Sequence, residues 1–213
     1  MKKIDEYFDE EALLHDDKFI KEMGMALFYD EIENQINKCS QKSEILVIGC
    51  GTGLELERIK FACNVTALDI SHVMLEQLLK KNFYPEMNLQ AICMSVLDFD
   101  FGKNKFDIIL TCFTLHHFNE EQKVKLYSAI HGSLKSSGVF INGDTIAQST
   151  KEQVTRMKEA NTIYRQQNAP FSSLHIDVPL TKENEVALLS NAGFHHTLIE
   201  KEWTNTVLFR CLL

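Results

Sequence analysis

The chain of 213 residues has an ordinary composition for a soluble globular domain, with 45% hydrophobic and 24% charged residues. Its formal net charge of −8 argues against a nucleic-acid partner, because such a partner requires lysine and arginine clustered on one face. The sequence shows no apolar run of the ~20 residues that cross a membrane and no apolar secretory segment, so we expect a cytoplasmic protein with a small-molecule ligand.

The first predicted strand leads into a glycine-rich turn. Residues 8–38 show a helical pattern, and the apolar run at 45–48 then predicts a buried parallel strand. This strand ends on Gly49, Gly51 and Gly53, whose lack of a Cβ lets the backbone approach a ligand closely. The sequence therefore predicts a ligand at the carboxyl end of the first strand.

An acidic residue ends the second predicted strand. The strand at 65–68 leads to Asp69, which follows Gly51 by 18 positions. A carboxylate at this point can accept hydrogen bonds from both hydroxyls of a ribose. Ser71 is expected to cap the next helix, because its side chain can accept from a free backbone amide. The apolar face of that helix is predicted to carry Leu75, Leu78 and Leu79.

Three further apolar runs, at 89–93, 106–112 and 139–142, predict the remaining parallel strands. A helix before the last of them begins near Asn119, and Gln122 three residues later completes a capping box. Its apolar residues are Leu126, Tyr127, Ile130 and Leu134, and a turn is predicted at 136–138.

The alternation changes after residue 142. In order, the sequence predicts a polar helix at 150–167, a loop around 170–173, a helix from Thr181 to Gly193, and hairpin strands at 197–203 and 206–212. The sum is an α/β sheet with an antiparallel hairpin at its C-terminal edge. Ligands of such sheets bind at the carboxyl ends of the strands, where the strand order switches.

Five short motifs follow one another in a recognisable order. They are the glycine turn at 48–53, Ala67-Leu68-Asp69-Ile70-Ser71 with Met74-Leu75, Phe106-Asp107 with Leu115-His116-His117, the turn at 134–138, and Ala192-Gly193-Phe194. Through these five motifs the chain resembles the class I S-adenosylmethionine-dependent methyltransferases. Phe8-Asp9, Ala12 and His15-Asp16 also resemble an N-terminal pattern of small-molecule members. The resemblance implies a Rossmann-like methyltransferase fold, with a mostly parallel seven-stranded sheet, a C-terminal antiparallel hairpin, helices on both faces and a helical N-terminal cap.

The resemblance covers nearly the whole chain and implies one domain over residues 1–213. Its parts are a helical cap at 1–40, a cofactor-binding core at 44–144, a substrate-side insertion at 145–180, and a C-terminal helix and hairpin at 181–213. A dinucleotide-binding fingerprint, by contrast, would need a glycine where Leu54 stands.

The implied cofactor is S-adenosyl-L-methionine. The glycines would admit its amino-acid part and ribose, Ile70 and Met74 would cover the adenine, and Thr111 and Phe113 would line the methionine portion. Ser95 stands where the family has a carboxylate for the adenine amine, so either its hydroxyl accepts or Asp98 reaches the adenine. The complete implied set is Gly49, Cys50, Gly51, Gly53, Asp69, Ile70, Met74, Ser95, Val96, Thr111 and Phe113.

Methyl transfer is an in-line displacement that requires mainly positioning and exclusion of water, and a base only when the acceptor is protonated. Candidate catalytic residues are His117 and His175. His116 and His117 form a pair that commonly has a structural role in the family, and His175 lies in the loop over the predicted acceptor pocket. The residues expected to contact the acceptor are Tyr7, Tyr29, Tyr164 and Arg165.

Three functions remain open at this point. The first is methyl transfer to a small-molecule acceptor by a monomer or homodimer. The second is an activity like that of carboxy-S-adenosylmethionine synthase, which would need an arginine for an extra carboxylate; Arg156 and Arg165 are the candidates. The third is a non-catalytic S-adenosylmethionine-binding protein.

No metal site is expected, because the six cysteines are scattered without a Cys-x-x-Cys pair or a histidine at ligand spacing.

Overall fold

The computed structural model describes residues 1–39 and 43–213, so residue 40 of the predicted cap lies outside the described residues. The described chain forms a seven-stranded sheet with the order β3-β2-β1-β4-β5-β7-β6. Strands β1 to β5 are parallel, and β7 runs antiparallel between β5 and β6. The strands are β1 Ser43–Ile48, β2 Cys63–Asp69, β3 Met87–Cys93, β4 Phe106–Cys112, β5 Leu134–Thr145, β6 His196–Glu202 and β7 Thr206–Leu212. The predicted sheet with its C-terminal hairpin is confirmed.

Seven α-helices surround the sheet within the described residues. They are α1 Ile4–Glu11, α2 His15–Asp17, α3 Ala26–Asn37, α4 His72–Leu78, α5 Glu120–Ser133, α6 Thr150–Gln166 and α7 Lys182–Asn191. The predicted caps form: Ser71 accepts from the Met74 amide at 3.0 Å, and Asn119 exchanges both capping-box bonds with Gln122. None of these helices is long and apolar enough to cross a membrane.

Two local predictions at helix ends were wrong. Helix α4 ends at Leu78, so Leu79 lies beyond the last buried turn and is 63% exposed. Leu134 begins β5 instead of ending α5, and the predicted turn at 136–138 forms a bulge within that strand. The pairing jumps there from Phe106 with Leu134 to Ile108 with Val139. The bulge absorbs the extra residues and leaves the rest of β5 in register.

The hydrophobic core lies on both faces of the sheet. In β1, Ile45 and Val47 face a cluster that includes α3 and α4, whereas Leu46 and Ile48 face a cluster that includes α5 and α7. All four are at most 1% exposed, which explains why this strand is an unbroken apolar run. The predicted helices on both faces are thereby confirmed.

The N-terminal segment and the segment after α6 meet over the carboxyl ends of the strands. Lys3 forms an isolated bridge with Leu174, and the Ile4 amide donates to the Ser173 carbonyl at 3.1 Å. The His175 amide donates back to the Lys2 carbonyl at 3.3 Å. These bonds join the predicted cap to the predicted insertion on the side of the sheet where a ligand is expected.

Candidate functional site

A cavity lies at the carboxyl ends of β1, β2 and β4 and contains about 870 Å³, including its open mouth. This is the end of the sheet where ligands of such folds bind. Of the eleven residues implied to bind the cofactor, nine line it: Gly49, Cys50, Gly51, Asp69, Ile70, Met74, Ser95, Val96 and Phe113. Gly53 and Thr111 do not. Thr111 is fully buried in β4, and Gly53 packs against Leu78 and Phe83.

The glycines of the first turn are required for two different reasons. At Gly49, where φ is +64°, a Cβ would lie 2.1 Å from the Thr114 Oγ1, so a larger residue would displace the chain after β4. At Gly51, where φ is +48°, the nearest atoms to a Cβ belong to the His15 ring at 3.7 Å and to Met74. All three residues line the cavity, so a side chain at position 51 would occupy ligand space rather than collide with the fold.

Asp69 fixes the glycine turn and still has acceptor capacity to spare. Its side chain accepts from the Gly51 amide and from the Ser71 amide, each at 2.8 Å. Burial raises the pKa of this carboxyl, while the two amides act in the opposite direction. Each carboxylate oxygen has a second lone pair. Asp69 can therefore hold the turn and accept from a ribose hydroxyl at once.

Glu55 is a cavity residue that sequence reasoning missed. It lines the cavity and is only 3% exposed, and its Oε1 has no hydrogen-bond partner among the described residues. Burial raises its pKa to about 8. The signal in the sequence is an acidic residue between Leu54 and Leu56, both of which are buried. A buried carboxyl with one unpartnered oxygen beside the glycine turn suits a cationic ligand group such as the cofactor's ammonium.

The segment after β3 contains Ser95 and Asp98, the two candidates to accept from the adenine amine. Ser95 lines the cavity, and its Oγ accepts from the Leu97 amide at 3.3 Å, which caps the short 3-10 helix Val96–Asp98. Asp98 is exposed and is not among the residues that line the cavity. Of these two candidates, Ser95 is therefore the one that lines the cavity.

The N-terminal cap covers the cavity through several side chains: Ile4, Phe8, His15, Phe19 and Tyr29. Two acidic residues of the N-terminal motif attach this cap to the core. Asp9 accepts from the Ser71 hydroxyl at 2.6 Å, and Asp16 accepts from the Thr52 hydroxyl and pairs with Lys81 at 2.7 Å.

Only one of the four residues expected to contact the acceptor lines the cavity, and it is Tyr29. Tyr7 stacks on His175 with ring centroids 3.6 Å apart. The Tyr164 hydroxyl donates to the Leu174 carbonyl at 3.1 Å inside a separate apolar cluster. Arg165 is exposed in a different groove, beside Glu120.

A cluster of histidines and carboxylates lies at the wall of the cavity. His117 lines the cavity, and His175 lies next to it with ring centroids 5.2 Å apart. The His117 Nδ1 is 3.3 Å from the Asp177 Oδ1, and the His116 Nδ1 is 2.5 Å from the Asp144 Oδ1.

Burial and neighbouring charges set the protonation of this cluster. Burial, together with His116, lowers the pKa of His117 to about 4. Burial also opposes protonation of His116, but the charge of Asp144 outweighs it and raises the pKa of His116 above its ordinary value. Burial lowers the pKa of His175. At neutral pH, His117 therefore offers a neutral imidazole to the cavity.

Within the described residues, no lysine or arginine lines the cavity. Arg58 pairs with Asp30 at 2.8 Å, and Arg210 donates to the Gln35 carbonyl at 3.2 Å. Arg156 is exposed and pairs with Glu152 on its own helix. The carboxyl and imidazole groups among the described lining residues are those of Glu55, Asp69, His15 and His117.

Comparison with known proteins finds a family model that matches part of the chain. Residues 45–138 match the family model described as a methyltransferase domain. Similar curated proteins include the carboxy-S-adenosyl-L-methionine synthase of Nautilia profundicola, 24% identical over 95% of this chain and 92% of that protein. The synthase of the same name from Helicobacter pylori strain 26695 is 28% identical, over 83% of this chain and 76% of its own length.

Solved structures show the same fold over most of the chain. The structure titled as a DhpI–SAH complex superposes with a TM-score of 0.71 at 14% identity, over 97% of this chain and 93% of that one. PH0226 of Pyrococcus horikoshii gives 0.63 at 21% identity, over 85% and 87%. The central part of the chain, residues 45–138, therefore matches a methyltransferase domain, and the whole described chain has the fold of these solved structures.

Proposed function

We propose that this protein transfers the methyl group of S-adenosylmethionine to a small-molecule acceptor that is neutral or cationic. The observation that carries the proposal is the cavity's charge. Its described lining contains Asp69 and Glu55 but no lysine or arginine. Such a lining suits a sulfonium cofactor with an ammonium group, and it offers nothing to pair with the carboxylate or phosphate of an anionic acceptor.

Cofactor and acceptor would lie on opposite sides of β1. Asp69 ends β2 and His117 follows β4, and these two strands flank β1 in the sheet. The glycine turn between them ends β1 itself. A cofactor whose ribose is held at Asp69 would therefore extend over Gly51 toward the His117 side, where the acceptor would approach.

The protein's own contribution is to bind, orient and exclude water. The bound cofactor supplies an already activated methyl group, so no group of the chain needs to activate it. Phe8, Phe19 and Phe113 supply apolar walls that exclude water, and Tyr29 adds a buried ring beside them. We assign His117 to contact with the acceptor, since it lines the cavity. The His175 ring stacks on Tyr7, and its centroid lies 5.2 Å from that of His117, so we assign it to positioning these two side chains.

An activity like that of the carboxy-S-adenosylmethionine synthases is the second candidate, because curated relatives carry that name. It would place a further carboxylate in the cavity, and that charge would need a cationic partner. Neither Arg156 nor Arg165 lines the cavity. The charge balance therefore favours methyl transfer over this alternative.

The test is a turnover screen with methyl-labelled cofactor against matched neutral, amine and carboxylate acceptors, combined with mass spectrometry of ligands that copurify. We expect transfer to a neutral or amine acceptor, reduced at limiting cofactor in Asp69→Ala and retained in Arg165→Met. Transfer confined to carboxylate acceptors, or a copurified cofactor bearing an added carboxylate, would refute the proposal. Cofactor binding with no turnover across the whole panel would instead favour the non-catalytic role.

A further inference from the structure

We propose that His116, His117 and Asp177 form a binding site for a divalent transition-metal ion, best suited to Zn²⁺, in the wall of the acceptor cavity. The inference departs from the expectation of no metal site. That expectation rested on cysteine spacing, whereas these ligands are two adjacent histidines and an aspartate 60 positions later.

Two of the three separations between ligand atoms are close to those that a tetrahedral ion requires. The Asp177 Oδ1 is 3.3 Å from the His117 Nδ1 and 3.6 Å from the His116 Nε2, and all three ligand atoms lie within 4.8 Å of one another. A Zn²⁺ ion with bonds of ~2.0–2.1 Å separates neighbouring tetrahedral ligands by roughly 3.4 Å. The ion therefore fits with small movements of the side chains.

Two of these ligand atoms are shielded from solvent and lie 3.3 Å apart without forming a hydrogen bond of ordinary geometry. The His117 Nδ1 and the Asp177 Oδ1 have no hydrogen-bond partner among the described residues, although both atoms are shielded from solvent. Buried polar atoms without partners are costly, and native structures rarely keep two of them side by side. A bound ion would satisfy both at once.

The Nδ1 of His116 contacts a carboxylate, as the non-ligating ring nitrogen of a metal-bound histidine usually does. The His116 Nδ1 lies 2.5 Å from the Asp144 Oδ1, and Asp144 is 3% exposed. A ligating histidine almost always donates its other ring N–H to a carboxylate or carbonyl, which sets the tautomer and orients the ring. This contact leaves the His116 Nε2 lone pair free to face Asp177.

Backbone and side-chain hydrogen bonds hold the third ligand against the first two. The Val178 amide donates to the His116 carbonyl at 2.7 Å, and the Ser172 hydroxyl donates to the His117 carbonyl at 3.1 Å. The side chain of Asp177 is nonetheless 42% exposed, which gives an ion a path to the site. Because His117 also lines the cavity, an acceptor oxygen or nitrogen can complete the coordination.

The charges around the site favour a dication. Asp144 and Asp177 supply two carboxylates, 2.5 Å and 3.3 Å from imidazole nitrogens. The nearby ammonium of Lys123 is already paired with Glu185 at 2.8 Å. The competing explanation is a metal-free network in which Asp177 bridges the two imidazoles.

The experiment uses Co²⁺ and Zn²⁺ alone on the chelator-treated full-length protein, without cofactor or acceptor. We expect one equivalent of Co²⁺ to give the visible absorption of a tetrahedral nitrogen and oxygen site, and Zn²⁺ to displace it. Asp177→Asn, which keeps the side-chain shape at a partly exposed position, should weaken Zn²⁺ binding at least tenfold. Asp144→Asn should weaken it by about 10- to 100-fold.

The chain offers a matched control in His195 and His196, an exposed pair of adjacent histidines. Replacing both with alanine should leave the stoichiometry and the absorption unchanged. The proposal is wrong if the wild type shows no tetrahedral band, if Asp177→Asn binds as tightly as the wild type, or if the alanine pair abolishes binding. Since the test requires no turnover, its failure leaves the proposed methyl transfer intact.

Discussion

Replacing Asp69 with alanine should weaken the binding of S-adenosylmethionine without displacing the cofactor from its site. Each oxygen of this carboxylate already accepts one backbone amide, from Gly51 and from Ser71, both at 2.8 Å. The remaining lone pairs are those available to ribose hydroxyls. A hydrogen bond to a charged group contributes about 1.5–3 kcal/mol, so the Kd should rise roughly 10- to 150-fold.

The same substitution also removes the anchor of the glycine turn. The Gly51 and Ser71 amides would lose their acceptor, and a buried unsatisfied donor costs about 1–3 kcal/mol. We therefore expect a lower free energy of unfolding along with the weaker binding. Titration calorimetry at a temperature well below the midpoint of thermal unfolding measures the affinity of folded protein. Urea unfolding of the same sample measures its stability separately.

Asp98 provides the control for charge and sequence position. It is acidic and exposed, and it lies outside the cavity lining. Asp98→Ala should leave the Kd within about twofold of the wild type, since surface substitutions rarely exceed ~0.5 kcal/mol. A folded Asp69→Ala variant with unchanged Kd would refute the ribose contact. A large loss in Asp98→Ala would instead place that carboxylate at the adenine.

Two further predictions follow from buried carboxyls. Burial raises the pKa of Glu55 to about 8, so it is mostly protonated at pH 7, and pairing with the cofactor's ammonium should expel close to one proton. Calorimetry in two buffers of different ionisation enthalpy measures that release, and a Glu55→Gln variant that releases as much would exclude the assignment. Lys123→Met should cost about 3–5 kcal/mol of unfolding free energy, because it leaves the buried Glu185 carboxylate without its cationic partner and with only the Tyr127 hydroxyl as a donor. Lys125→Met removes an exposed pair on the same helix and should change stability by ~0.5 kcal/mol or less in urea unfolding, whereas equal losses would contradict the argument.

Local chemistry explains why so much of the fold could be predicted. A strand buried on both faces must be apolar throughout, as the run from Ile45 to Ile48 is. A helix start needs an acceptor for its free amides, and Ser71 and Asn119 supply one from their own positions. Asp69 could be found because it ends a strand beside the glycine turn. Each of these signals lies within a few residues of the feature that it predicts.

The features that sequence reasoning missed depend on partners distant in the chain. Lys123 and Glu185 are 62 positions apart and would each be expected on a solvated helix face. Asp177 reaches His116 and His117 only because the segment after α6 folds back over the strand ends. A segment that folds back in this way leaves no periodic pattern in the sequence. The error at Leu79 has the opposite origin, since the apolar pattern continues one residue beyond the point where the helix ends.

The structure shows which groups the acidic residues of the N-terminal motif contact, which the resemblance alone did not. Asp9 accepts from Ser71, which caps α4 two residues after Asp69. Asp16 accepts from Thr52, which lies between the glycines of the turn. The cap is therefore attached to the same two segments that would hold the cofactor's ribose and amino-acid part. The position of the cap and the geometry of the proposed cofactor site are thus linked through four side chains, and under the proposed function the exclusion of water from the methyl group would depend on both.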